Sequence, residues 1–398
     1  MLGAAEALIN ASDIELAVAT VSNRVDNLRI IEGKRIRYYL ISSGNKYSGS
    51  NTTYNKKFEK QWKIIDTDFN PDIIHIHGTE NTHGLAYMRA CGNEKCVVSI
   101  QGMMSAYDYY DYGLTKKQIM KNLSLSDILR CNSIFSAKRS FRNRSKYERE
   151  MIQRTHHVIG RTDWDKARTW AINPIAEYHF NNETLRSEFY TNNRWNYNQC
   201  IKHSIFLSQG SYPIKGLHQI LKALPLVLQF YPDTVVRIAG KNIIKRPKGL
   251  RELYFYSGYG NVIREIIKDK HLDNCVLFLG NLGADQMRSE YLNANLFICP
   301  STIENSPNSL GEAQILGVPC LASYVGGTMN MISSSLCGEL YRFEEVEMLA
   351  WKICKLFETS ASFDNSTMID EAKNRHDREK NATELLDIYS SIINERIK

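Results

Sequence analysis

The stretch PSTIENSPNSLGEAQILGVPCLASYVGG, residues 300–327, reads as one architectural unit, and the rest of the 398-residue chain can be placed around it. The apolar run LFIC, 296–299, arrives as a buried strand and stops at Pro300. A polar loop follows, and then a helix with both ends marked. Ser306 is a good N-cap, and Pro307 suits the first helical position, where a missing N–H costs nothing. Gly317 closes the helix before a second short strand, 318–323. Strand, polar loop, capped helix and strand is how open α/β sheets build ligand sites at strand carboxyl ends.

Two carboxylates punctuate the stretch: Glu304 in the loop and Glu312 inside the helix. Glu312 follows Asn308 by four residues and Ser309 by three, so the three share a face near the helix start. The first amides, of Asn308, Ser309 and Leu310, with the positive end of the helix dipole, make an anion site. A carboxylate one turn deeper repels a phosphate but accepts hydrogen bonds from a sugar cis-diol. Glu304 is placed to reach a second polyol group. Ribose, pyrophosphate and hexose follow one another in this way in a nucleotide sugar. A glutamate pair at this spacing also fits a plain surface loop with two solvated side chains. ENSPNSLGEAQILGVPCLAS, however, resembles over its whole length the donor-site segment of retaining glycosyltransferases of family 4. The resemblance extends through the Gly-x-Pro exit to the Gly326-Gly327 loop. It implies the GT-B fold: α/β, two Rossmann-like doubly wound parallel-sheet domains facing a cleft.

The bulk numbers agree with two domains. Apolar residues make up 43% of the chain and aromatic residues 10%, enough for sizeable cores and against disorder. Nine cysteines without a CxxC pair fit buried thiols in a reducing compartment and leave no zinc framework. No apolar run approaches the roughly 18 residues of a membrane span, and the N-terminus lacks a signal-peptide pattern. These features predict a cytoplasmic protein. The net charge of +7 is uneven: residues 115–168 hold 14 Lys/Arg against 5 Asp/Glu, so the remainder is slightly acidic. A solvated helix face accounts for such a run, as does a patch docking on anionic lipid headgroups at the inner face of the cytoplasmic membrane, or on a pyrophosphate-linked acceptor. No nucleic-acid motif accompanies the charge.

The N-terminal half alternates strands (15–21, 35–41, 72–78, 96–102 and 157–162) with helices, which predicts a parallel doubly wound sheet. Residues 1–10 read as a helix, whereas a Rossmann half opens with a central strand and a glycine-rich turn. The expectation is that in-frame sequence upstream of Met1 supplies that strand, or that the chain is a truncated remnant. His75 reads as a satisfied core histidine. His77 and His83, at a strand end and in a loop, are the acceptor-side candidates. Where many family members carry a histidine beside the reacting sugar, this chain has Gln101, which hydrogen-bonds but takes no proton at neutral pH. Tyrosines 107, 109, 110 and 112 follow, as a sugar-stacking loop or a plain surface loop. A polar, Asn-rich stretch leads to an interdomain linker at about 190–202.

From His203 the chain restarts as a second Rossmann-like half. Lys215-Gly216 matches the family's Lys-Gly at the first strand–helix junction, which implies that Lys215 meets the donor's pyrophosphate. The family's arginine five residues earlier is here Gly210, with Lys241 as the candidate substitute. The expected organisation is an acceptor-side domain over 1–195, a nucleotide-sugar-binding domain over 203–380, and a last helix, 381–398, crossing back to the first domain.

The resemblance implies a metal-independent, retaining hexosyltransferase without a cofactor. It would move a hexosyl group from a nucleotide-sugar donor, such as a UDP- or GDP-sugar, to a sugar hydroxyl of a growing lipid-linked oligosaccharide or polysaccharide. Glu304, Lys215 and Gln101 are its catalytic candidates. Glu312, Asn308, Ser309, Leu310, Lys241, Gly326 and Gly327 are its donor-binding candidates. Three alternatives stay open: a catalytically inactive GT-B nucleotide-binding or scaffold protein, a nucleotide-sugar epimerase, and a glycogen-type synthase.

Overall fold

The computed structural model describes residues 5, 8–9, 14–44, 54–107, 109–110, 112–129, 133–245, 249 and 257–397. The helix expected over 1–10 lies almost wholly outside them. The chain forms two compact units: Met1–Tyr109, Lys138–Thr184 and His376–Lys398 make the first, and Tyr110–Ala137 with Leu185–Arg375 makes the second.

The first unit carries two sheets. β1 (Leu16–Ser22) pairs parallel with β3 (Ile36–Ser42), and β2 (Arg29–Glu32) adds to β3 antiparallel. β4 (Ile74–His77), β5 (Cys96–Ser99), β6 (His157–Gly160) and β7 (Glu177–Phe180) form a separate parallel sheet in that order. β5 and β6 are buried throughout, as strands covered on both faces must be. Along β5, Val97 faces a core completed by Ile159 and by Leu385 and Ile392 of the C-terminal helix Arg378–Ile397. Its neighbours Cys96 and Val98 face Leu85, Tyr87 and Met151. That alternation is the period of two expected of a strand. Two elements depart from the sequence reading. β2 is an exposed antiparallel strand, and β7 lies in the stretch read as irregular, because an edge strand with half its residues exposed shows no apolar run.

The second unit is one six-stranded parallel sheet, ordered β10 (Val276–Gly280), β9 (Val235–Ala239), β8 (Ile201–Leu207), β11 (Ala294–Cys299), β12 (Cys320–Ser323), β13 (Glu339–Tyr341). Counted from β8 this is 3-2-1-4-5-6, the doubly wound order, with its switch point between β8 and β11. Ile205, Leu207, Leu296 and Ile298 face one core, with the helices Leu217–Val227 and Val346–Thr359. Phe206, Phe297 and Cys299 face the other, with Ala284–Asn293 and Asn308–Leu316.

The 190–202 stretch is not a free linker. Leu185, Phe189 and Trp195 are buried in the second core, and Trp195 donates its backbone N–H to the Leu316 carbonyl (2.8 Å) and Nε1–H to Ala294 (2.6 Å). Long-range burial of three apolar side chains therefore moves the crossing to 184/185; the last crossing falls at 375/376, and residues 110–137 group with the second unit. No helix among the described residues is long and apolar enough to cross a membrane.

Candidate active site

In the second unit the candidates gather at the carboxyl ends of the central strands. The turn Pro213–Lys215 follows β8 and ends at Gly216, whose φ is +69°. A Cβ there would lie 1.7 Å from the Pro300 carbonyl oxygen, so only glycine lets the two loops touch. Thr302 donates its N–H to the Ile214 carbonyl (2.8 Å) and locks the loop after β11 onto this turn. As a result Lys215 and Glu304, 89 residues apart, form an ion pair with Nζ 2.5 Å from Oε1. Ser301 donates a second hydrogen bond to the same oxygen (2.6 Å). Burial works against the Lys215 charge, but the Glu304 carboxylate and the neighbouring Tyr212 outweigh it and raise the lysine above its ordinary range. The Gly326-Gly327 loop closes the other side: Gly327 donates to the Glu304 carbonyl (3.1 Å), and a Cβ on Gly326 (φ +54°) would lie 1.8 Å from that same oxygen.

The helix Asn308–Leu316 starts one residue later than its sequence signals imply. Pro307 is the N-cap, and no side chain caps the helix. The Leu310 and Gly311 amides turn back to the Pro307 carbonyl (2.9 and 3.3 Å), so the Leu310 amide, expected to meet an anion, is engaged. Asn308 is exposed and Ser309 half-buried. Glu312 is buried and gripped by Arg186 from both sides (Nε–Oε1 2.7 Å, Nη2–Oε2 2.8 Å), with the Tyr291 hydroxyl at 3.3 Å from Oε2. Burial raises the Glu312 carboxyl, and the guanidinium opposes that shift. The carboxylate assigned to a ribose diol is thus occupied by an arginine 126 residues away, which sequence spacing had no means of revealing. Lys241 is exposed and follows β9, next to β8 in the sheet. At Gly210 a Cβ would meet Ile238 and Leu217 at 3.0 and 3.1 Å, which leaves little room for the family's arginine.

The remaining candidates belong to the first unit, where His75, His77, Gln101, Arg161 and Glu183 line a pocket. Arg161 is buried and pairs with Glu183 (3.0 Å), while Nη2 donates to the Ile100 carbonyl (3.1 Å) and to Gln101 Oε1 (3.3 Å). Gln101 is oriented by this arginine, which sequence reading passed over although it directly follows a strand. His77 stacks on His75 (3.8 Å between ring centres), and burial lowers it to about 4. His75 is held between the Ser99 and Tyr389 hydroxyls, a core histidine with both nitrogens engaged. His83 is outside this pocket lining: it starts the helix His83–Cys91, packs edge-on against Phe58 (5.1 Å), and is lowered to about 4 by burial. The fully buried Glu148 accepts from the Thr79 hydroxyl and from the Met104 and Ser105 amides (each 2.8 Å), pinning the loops after β4 and β5. Of the tyrosines, Tyr109 is exposed and Tyr112 is buried in the second unit's core. Outside these sites, and among the described residues, His157, Glu177 and His179 each bring a potential ligand atom within 4.8 Å of the others, the two imidazoles being hydrogen-bonded to each other (3.1 Å).

Residues 192–385 match the family described as Glycosyl transferases group 1. An amylovoran biosynthesis glycosyltransferase, AmsK, of Erwinia amylovora is 27% identical over 156 residues, 37% of this chain and 38% of the relative. A GDP-mannose-dependent alpha-mannosyltransferase of Corynebacterium glutamicum is 26% identical over 134 residues, 32% of each chain. The matches therefore span about a third of these relatives. Among solved structures, a sucrose-phosphate synthase from Thermosynechococcus elongatus superposes with a TM-score of 0.74 at 15% identity, covering 98% of this chain and 92% of that one. Anabaena HepE in complex with UDP and glucose gives 0.62 at 16% identity, covering 90% and 87%. The chain has the GT-B fold, and its residues 192–385 match the glycosyl transferases group 1 family.

Proposed function

We propose that the protein is a retaining, metal-independent hexosyltransferase that moves a hexosyl group from a nucleotide-sugar donor to a sugar hydroxyl of a lipid-linked glycan. The observation that carries this reading is the Lys215–Glu304 pair at the switch point of the second sheet, fixed by Gly216 and Gly326. Lys215 meets the diphosphate, whose charge grows as it leaves, so its contribution rises toward the transition state. The start of the Asn308–Leu316 helix adds positive potential to the same group. Glu304 turns from the lysine to the sugar half of the donor, and Glu312 receives the ribose hydroxyls when Arg186 gives way. No enzymic nucleophile is assigned, and same-face attack assisted by the departing phosphate fits these residues. Gln101, oriented by Arg161, contributes a hydrogen bond on the acceptor side.

A donor screen that follows released UDP or GDP, beside calorimetry of the free diphosphate, tests this reading. Lys215→Ala is expected to weaken diphosphate binding and slow turnover about 100-fold. Glu304→Gln is expected to leave diphosphate affinity nearly unchanged while turnover falls by a similar factor. Diphosphate binding without turnover of any donor would instead identify a nucleotide-binding protein.

A further inference from the structure

Residues 122–129 of the second unit are built inside out, with Met120 before them and Phe135 beyond also exposed. Two short helices, Lys116–Lys121 and Leu125–Leu129, are fastened to the helix Gly258–Asp269 by polar groups. Asn122 donates to Glu265 Oε2 (2.7 Å), and its carbonyl accepts from Asn261 (3.1 Å). Asp127 accepts from the Gly258 amide (2.8 Å) and the Ser124 amide (3.0 Å). Asn122, Ser124, Ser126 and Asp127 are all buried. The outward side is apolar: Met120 is 64% exposed, Leu123 37%, Leu125 55%, Ile128 63%, Leu129 64% and Phe135 41%. Leu125, Ile128 and Leu129 fall at i, i+3 and i+4, one face of their helix. A scattered exposed leucine needs no cause, but a reversed segment showing four large apolar side chains, with Met120 and Phe135 on the flanking helices, marks an interaction surface.

The charges beside this face indicate what it meets. Lys116 and Lys117 are exposed, Lys121 is ion-paired with Glu265, and the acid of the two helices, Asp127, is turned inward. Apolar tips with the exposed Lys116 and Lys117 on the neighbouring helix match the headgroup–acyl boundary of an anionic bilayer, where the side chains sink a few ångströms and the cations stay with the phosphates. We propose that the Lys116–Lys121 and Leu125–Leu129 helices seat the protein on an anionic lipid surface, with Leu125, Ile128 and Leu129 inserted. The donor-site residues play no part in this proposal.

The test is co-sedimentation of the full chain with vesicles of phosphatidylcholine alone or with 30% phosphatidylglycerol, beside size-exclusion chromatography and a thermal melt. The wild type is expected to pellet with the anionic vesicles, and less so as salt rises. Leu125→Ser/Ile128→Ser/Leu129→Ser, at positions already in solvent, is expected to keep the melt and release of diphosphate with a soluble acceptor while binding falls at least tenfold. Lys116→Glu/Lys117→Glu is expected to lower it about fivefold or more per charge. Undiminished binding by the triple variant overturns the proposal. So does a wild type that ignores both vesicles, or a dimer that the triple variant converts to monomer, which would make the face a contact between copies.

Discussion

Each unit places a cation and a glutamate at the carboxyl ends of parallel strands, and the two pairs are held differently. In the second unit the loops are fixed by backbone contact through Gly216 and Gly326, and Lys215 touches its partner through one ammonium. In the first, Arg161 is itself the fastener: one guanidinium joins Glu183, the Ile100 carbonyl and Gln101, with its side chain only 5% exposed. A pair on a rigid frame can be exchanged for a ligand without loss of the frame. A pair that is the frame cannot.

That contrast predicts its largest effect at Arg161. Removing one partner of a buried pair strands the other, at a cost of roughly 3–5 kcal/mol. Arg161→Ala should therefore lower the melting temperature steeply, and by more than Lys215→Ala, which leaves Glu304 with the Ser301 hydroxyl still donating to it. Chemical denaturation of both variants measures this, and equal losses would erase the distinction between frame and pair.

The next effect sharpens the comparison inside the second unit. Arg186 lies over Glu312 as an exchangeable partner, its side chain 43% exposed. If it competes with ribose for the carboxylate, Arg186→Ala should tighten diphosphate binding about three- to tenfold by calorimetry, while Glu312→Ala weakens it. Weaker binding in both variants would mean that the arginine helps hold the nucleotide.

The smallest effect is in the pH dependence of the first unit. His83 is lowered to about 4 by burial, against an ordinary value near 6.5. Between those values the unfolded chain binds the extra proton, so stability is full above pH 6.5 and falls as pH drops toward 4. From pH 7 to pH 6 the loss is ~0.7 kcal/mol for this one group. Denaturation at the two pH values should show His83→Gln less acid-sensitive than wild type by that amount. A parallel shift of both proteins would remove His83 as a source.

What the sequence discloses follows from range. The β11–helix–β12 unit was legible because a buried parallel strand is an apolar run and helix ends have local signals, although the cap moved from Ser306 to Pro307. β7 was not, since Glu177 and Phe180 at its ends are both exposed. Phe189 and Trp195 sit among asparagines and take their meaning only from the distant core they enter. For the site, Lys215 and Glu304 were recognisable each by its own motif. Arg161 and Arg186 belong to no such local motif, and their partners are fixed by topology rather than by spacing.

The chain passes between the two units at 109/110, 137/138, 184/185 and 375/376. During synthesis the first unit's core therefore waits. Val97 and Ile159 leave the ribosome long before Leu385 and Ile392, the residues that cover them. At about 5–20 residues per second, the roughly 230 residues between Ile159 and those two keep that apolar surface open for about 11–46 s. The nascent protein is most vulnerable to aggregation and to chaperone capture in that interval, and loss of the final 20 residues would leave the first half permanently uncovered.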